Sequence, residues 1–210
     1  MIIITGHDGF IGKKFLEKLE GKEVFKVEKN NSWHFRTFNE WQKVELIIHQ
    51  GAISDTTCTN LQAFHHFNVE FTEWLCKQAI KYQIPMKYAS SASVYGNTSD
   101  TINPLNYYAI SKVISDYWVQ DHIDEFKLIQ GFRYFNVYGD GEDHKGDQAS
   151  PVSKFTKQVK ETGALKLRKC QLLFFSTLII SLSFNFLRNF FPINPSCPVI
   201  MIIVFVWIIV

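Results

Sequence analysis

The 210-residue chain has little surplus of charge: 22 lysines and arginines against 20 acids leave a formal +2. That balance gives no ground for nucleic acid or an anionic membrane surface as a partner. Cysteine is also scarce. Cys58, Cys76, Cys170 and Cys197 are scattered without CxxC spacing, so no metal site is expected, and reduced thiols in a cytoplasmic protein are. The opening "MIIITGHDGF" has a short apolar run with no basic region before it, which does not fit a secretory signal. Internal repeats are missing. Acids stop at Glu161, and from Gln171 to Val210 the single charge is Arg188, set among Leu, Ile, Phe and Val.

What is present is an alternation. "MIIIT" (1–5) is a short apolar strand followed by a glycine-rich turn, and Phe10 to Leu19 then carries apolar residues at a helical period. "EVFKV" (23–27), "VELIIHQGA" (44–52), "PMKYASS" (85–91) and "KLIQGFRYF" (127–135) read as further strands. A helix over about 60–82 places Leu61, Phe64, Phe67, Phe71, Leu75 and Ala79 on one face, and Asn106 to Asp121 reads as another helix. This pattern predicts an α/β fold, a parallel sheet with helices on both faces. The stretch from Glu28 to Val44 is short for a full helix and strand, so an element is reduced there.

Three motifs carry chemistry. "TGHDGFIG" puts Gly6, Gly9 and Gly12 between the first strand and the first helix, where a pyrophosphate can approach the backbone at a helix N-terminus. Glu28 ends the second strand, and an acid there can bind the ribose hydroxyls of NAD. The adjacent Lys29 could instead neutralise the 2′-phosphate of NADP, or form a solvated pair with Glu28, so NAD and NADP both stay open. Tyr108 and Lys112 form a YxxxK pair on one helix face. A tyrosine with a free pKa of about 10 becomes a usable base when a nearby ammonium and an oxidised nicotinamide stabilise its phenolate. "YASSASVYG" (88–96) supplies Ser91 to hold a reacting hydroxyl, with Ser90 and Ser93 as turn residues.

The order TGxxGFIG, HxGA (His49–Ala52), SSxSVYG, YxxxK and "RYFNVYG" (133–139) resembles the extended short-chain dehydrogenase/reductases, Rossmann-fold enzymes of nucleotide sugars. The resemblance runs over roughly 1–167. "GFRYFNVYG", "HKG" and "HQGA.SDTT" are similar to the branch that inverts C6 of a nucleotide-activated heptose for lipopolysaccharide precursors. It implies Tyr108 as one acid/base, Lys112 as orienter of the cofactor ribose and Ser91 as substrate support. Lys145 of "HKG" is implied as the second acid/base, where the loop alone reads as solvated charge. Phe10, Ile11, Glu28, Lys29, Gln50, Gly51, Ala52, Ile53, Ser54, Asn68 and Val137 would line the cofactor with the three glycines. Asn136, Asp147 and Lys154 would meet the substrate, although relatives often have His at Lys154. Homo-oligomers are implied by the same analogy.

The implied chemistry explains why two acid/base groups are needed. C6 of the heptose is not beside a carbonyl, so inversion proceeds by transient oxidation and reduction. The oxygen then loses and regains a proton in two orientations, served by Tyr108 and Lys145 from opposite sides. Sugar dehydratases of the same family carry an Asp-Glu pair after the supporting hydroxyl. Here Ala92 and Ser93 stand there, which argues against dehydration.

The expected organisation is a dinucleotide domain over 1–145, the start of a substrate lobe over 146–168, and an apolar tail over 169–210. The tail lacks the family's continuation. Three readings stand: a frameshifted or truncated frame, which the abrupt loss of acids favours, a membrane hairpin, or an unusual folded segment. Its apolar runs at 172–187 and 199–210 are shorter than the ~20 residues of a single span. A chain of this kind could also bind a dinucleotide and turn over nothing.

Overall fold

A computed structural model describes residues 1–98, 101–139, 146 and 149–162. The strands are β1 (Ile2–Thr5), β2 (Val24–Val27), β3 (Leu46–His49), β4 (Met86–Ser91) and β5 (Ile129–Tyr134), all parallel in the order β2-β1-β3-β4-β5. The helices are α1 (Phe10–Lys18), α2 (Ser32–Phe35), α3 (Leu61–Phe64), α4 (Phe71–Tyr82), α5 (Tyr107–Asp121) and α6 (Pro151–Thr162). The expected parallel Rossmann-type sheet is what forms. β1 is flanked by β2 on one side and β3 on the other, so the strand order reverses at its C-terminal end, where such sheets bind ligands.

The register explains the core. Ile3 and Ile47 face one side with Met86 and Tyr88, while Ile4 and Ile48 face the other, and all six are buried. Burial on both faces is why the strands are continuous apolar runs without a polar face. The short link after β2 holds only the four residues of α2 and a 3-10 turn at Trp41–Lys43. Aromatic rings fill the space of the reduced element: Phe35 meets Trp74 edge-on at 5.4 Å, and Phe38 meets Trp41 at 5.0 Å.

The long helix expected over 60–82 is interrupted. Between α3 and α4 lies a π-helical segment, His65–Glu70. Its wider turn slips the phase of the apolar stripe. Phe64, Phe71, Leu75 and Ala79 are buried as the period predicts, but Leu61 is exposed and Phe67 is only half-buried. Asn68 and Val69 turn inward instead.

The chain divides into two compact units, the first containing Met1–Phe135 and the second beginning at Asn136. In the second, Pro151 opens α6 and the Ser150 hydroxyl accepts from the Ser153 N–H at 3.2 Å, a serine cap on a helix that starts with proline. Among the described residues no helix is long and apolar enough to cross a membrane. The apolar tail lies outside the described residues.

Candidate active site

Two loops meet at the C-terminal edge of the sheet. Gly6 has φ +69°, and a Cβ there would stand 2.5 Å from the Gly51 backbone. At Gly12 a Cβ would stand 2.0 Å from the Gly6 carbonyl oxygen. Side chains are therefore excluded from this cradle by backbone, which shifts only at a cost. Gly9 is the N-cap of α1, and the Lys13 N–H is the first to bond back, to the Gly9 carbonyl at 2.9 Å. The first turn, with Phe10, Ile11 and Gly12, holds no acid. A helix N-terminus without an acid in its first turn suits a pyrophosphate.

Glu28 lies just past β2 and reaches back to this loop. Its Oε1 accepts the Asp8 N–H at 2.7 Å and lies 3.2 Å from His7 Nδ1. The Asn31 side chain accepts the Glu28 N–H at 2.7 Å, fixing the turn. Lys29 sets its ammonium over the Phe67 ring, 4.6 Å from the centroid, rather than pairing with Glu28.

The loop after β3 is held from two sides. Gly51 donates its N–H to the Thr5 hydroxyl at 3.0 Å. Ile53 donates to Asn68 Oδ1 at 2.8 Å, and Asn68 Nδ2 returns a bond to the Ile53 carbonyl at 2.9 Å. This two-way amide clamp fixes the segment that also contains Ala52 and Ser54. Gln50 has a buried side-chain amide whose atoms make no well-formed hydrogen bond among the described residues. It still lies near enough to the Tyr134 phenol to oppose the rise to about 12 that burial gives that group. A cradle closed to Cβ atoms, a helix end with no acid in its first turn, an acid at the ribose position and a buried amide beside them together fit a dinucleotide.

Beside it stand Ser91, Tyr108 and Lys112. Asn106 caps α5, its side chain accepting the Ala109 N–H at 2.8 Å, which fixes the phase of the helix. Ser91 ends β4. Its oxygen accepts from the Ser93 N–H at 3.2 Å and the Ser93 hydroxyl at 2.9 Å. Both lone pairs are thus engaged, and the Ser91 O–H remains to donate to the Tyr108 phenol. Burial raises the Tyr108 pKa and Ser91 opposes the rise. The sequence led to the expectation of a tyrosine eased toward ionisation. The protein groups alone leave it harder to ionise, because burial outweighs the single hydroxyl.

Lys112 is 3% exposed, and its ammonium donates to the Ala89 carbonyl at 2.7 Å and sits 5.9 Å from the centre of the Tyr108 ring. Burial pulls its pKa down to about 8, with the Asp116 charge working against that fall. Asp116 is itself tightly held. Tyr88 donates to its Oδ1 at 3.0 Å, Ser90 to Oδ2 at 2.9 Å, and Arg133 Nε to Oδ2 at 3.0 Å, with Nη2 in ion-pair contact with the same oxygen at 3.0 Å. Arg133 also donates to the Tyr95 hydroxyl at 2.8 Å. Sequence reasoning missed Asp116 and Arg133. The available signal was spacing: Tyr108, Lys112 and Asp116 are each four residues apart, on one helix face.

The first unit therefore brings together Ser91, Tyr108 and Lys112 beside the cradle of Gly6, Gly9 and Gly12. Asn136, Val137 and Lys154 belong to the second unit, and Lys145 and Asp147 lie outside the described residues.

Comparison with known proteins agrees with this architecture. Residues 2–178 match the profile of the NAD dependent epimerase/dehydratase family. The chain is 33% identical to ADP-L-glycero-D-manno-heptose-6-epimerase of Brachyspira hyodysenteriae, over 92% of this chain and 69% of that protein. It is 33% identical to the enzyme of the same name from Alkalilimnicola ehrlichii, over 80% of this chain and 62% of that one. The solved structure of the Helicobacter pylori ADP-L-glycero-D-manno-heptose-6-epimerase superposes with a TM-score of 0.65 at 28% identity, covering 78% of this chain and 64% of that one. The chain thus spans roughly two thirds of the length of these relatives. With the glycine cradle, the YxxxK helix and the family profile all falling on one parallel sheet, the chain belongs to the NAD-dependent epimerase/dehydratase family of extended short-chain dehydrogenase/reductases.

Proposed function

We propose that this chain is the cofactor-binding and acid/base part of a nucleotide-sugar epimerase that inverts C6 of ADP-glycero-manno-heptose, a step toward lipopolysaccharide. The observation that carries the reading is the juxtaposition of Ser91, Tyr108 and Lys112 at the sheet edge, next to the glycine cradle. Similarity to two heptose epimerases at 33% identity supports the choice of sugar.

A bound NAD or NADP supplies a hydride acceptor and donor for the substrate carbon. The residues do the rest. The amides at the head of α1 would hold the pyrophosphate, and Glu28 the ribose hydroxyls. Tyr108 takes the proton of the substrate hydroxyl as its carbon is oxidised. Ser91, with its O–H aimed at the phenol, stabilises the phenolate. Lys112, charged below a pKa of about 8, adds its field at 5.9 Å. After the carbonyl turns over, Lys145 is assigned the return of a proton to its oxygen as the hydride comes back. Its role rests on the sequence match of "HKG".

A second reading rests on the glycine cradle alone, which the first unit builds from its own backbone: the chain binds the dinucleotide without turnover. One experiment separates the two. The purified protein is titrated into NADH and NADPH by nicotinamide fluorescence, then incubated with ADP-D-glycero-D-manno-heptose and the products resolved by NMR. Binding with conversion supports the epimerase. Binding alone leaves the dinucleotide module. No binding of either cofactor sinks both.

A further inference from the structure

His49 closes β3 beside the cradle and is 1% exposed. Its Nδ1 lies 2.6 Å from the Thr5 hydroxyl and its Nε2 2.8 Å from the Thr72 hydroxyl. Thr72 donates to the Asn68 carbonyl at 2.6 Å. A hydroxyl has one hydrogen, so toward His49 Thr72 can only accept. Nε2 must therefore carry a proton. Burial, helped by the Lys112 charge, holds the imidazole down to a pKa of about 3, so it carries only that one. Nδ1 is then bare and accepts from Thr5, whose oxygen in turn accepts the Gly51 N–H at 3.0 Å. The opposite tautomer would point the Nε2 lone pair at an oxygen whose hydrogen is already spent.

The wire continues on both sides. Thr5 is the residue before Gly6. From Asn68 the side-chain amide donates to the Ser111 hydroxyl at 3.0 Å, and Ser111 donates to the Tyr108 carbonyl at 2.7 Å. We infer that His49 is a positioning residue: as a neutral Nε2–H tautomer it ties the glycine loop after β1 and the loop after β3 to the π-helical segment and, through Asn68, to the helix bearing Tyr108 and Lys112. The inference rests on the proposed function in taking the loop as the dinucleotide cradle and Tyr108 as the acid/base.

The tautomer is read from long-range proton–nitrogen correlations of the 15N-labelled protein, with His49 assigned by its loss in His49→Gln. The expected pattern is a protonated Nε2 and a bare Nδ1 at neutral pH. A protonated Nδ1 or an imidazolium there overturns the inference. Thr72→Val, close in shape, removes the acceptor. It should shift the proton toward Nδ1 and weaken NADH binding about tenfold, while Thr72→Ser keeps both as in the parent. A Thr72→Val protein that keeps the Nε2–H pattern and full NADH affinity also overturns it. If the parent protein binds no NADH, the dinucleotide reading fails, and the positioning role with it, while the nitrogen pattern still decides the hydrogen-bond assignment.

Discussion

Asp116 lies one helical turn beyond Lys112 on α5, and its carboxylate opposes the loss of the lysine's charge to burial. The same carboxylate neutralises Arg133, whose side chain is 14% exposed. One acid thus serves both the candidate catalytic helix and the end of β5. Asp116→Asn should therefore have two effects. The Lys112 pKa falls further below about 8. The part-buried guanidinium keeps Tyr95 but loses its anionic partner, at a cost of about 1–3 kcal/mol. Urea unfolding near neutral pH measures the second effect, and an unchanged midpoint would show that the pair contributes little.

Lys112 also sets a pH dependence. Its folded pKa is about 8 against the usual 10.5. Between those values the unfolded chain binds the proton more fully than the folded one, so this group makes stability rise with pH across that window. Below about pH 8 its full burial cost, about 3 kcal/mol, is present. Tyr88, Tyr108 and Tyr134 act the other way above about pH 10, since burial raises their pKa values and the unfolded chain loses those protons first. Urea unfolding of the parent protein and Lys112→Met at several pH values from neutral to about 10 tests this. The rise should be present in the first and missing in the second.

The glycine cradle predicts a separation of binding from fold. Gly12→Ala puts a methyl group 2.0 Å from the Gly6 carbonyl oxygen, so the turn must open. Strain of that kind costs about 1–3 kcal/mol, which a cooperative unfolding curve can show while the sheet survives. Dinucleotide binding, which needs the closed turn, should fall about tenfold for each 1.4 kcal/mol of misalignment. Nicotinamide fluorescence is the measurement, and full affinity in this variant would remove the loop from the site.

Much of this was legible in the sequence because it is local. Tyr108 and Lys112 share a face by helical spacing, and Gly6, Gly9 and Gly12 sit where a strand meets a helix. The parallel sheet follows from apolar strands alternating with helices. Other features depend on register and packing between distant segments. His49 meets Thr72 across 23 residues of sequence, and Arg133 meets Asp116 across 17. No local pattern states those pairings. The π-helical slip that buries Asn68 was hidden for a related reason: a strict 3.6-residue period puts Phe67 on the apolar face, and only the packed helix reveals the extra residue in the turn. Lys145 was reached through the motif that contains it, not through any structural neighbour.

That slip makes Asn68 a sharp test of the clamp. Its amide donates to the Ile53 carbonyl and the Ser111 hydroxyl while its oxygen accepts the Ile53 N–H. Asn68→Asp keeps the shape and the acceptor but turns both donors into a charged acceptor facing a carbonyl. The residue is 1% exposed, so the new carboxylate is held in its neutral form above the usual carboxylate range. A raised folded pKa means that the folded protein binds the proton more fully than the unfolded one, so the variant loses stability as pH rises and regains it on acidification. The loss near neutral pH should reach about 3 kcal/mol, with release of the Ile53 loop and weaker NADH binding. Unfolding midpoints compared at neutral and mildly acidic pH decide it: a variant equally stable at both would mean that the amide hydrogens of Asn68 hold nothing in place.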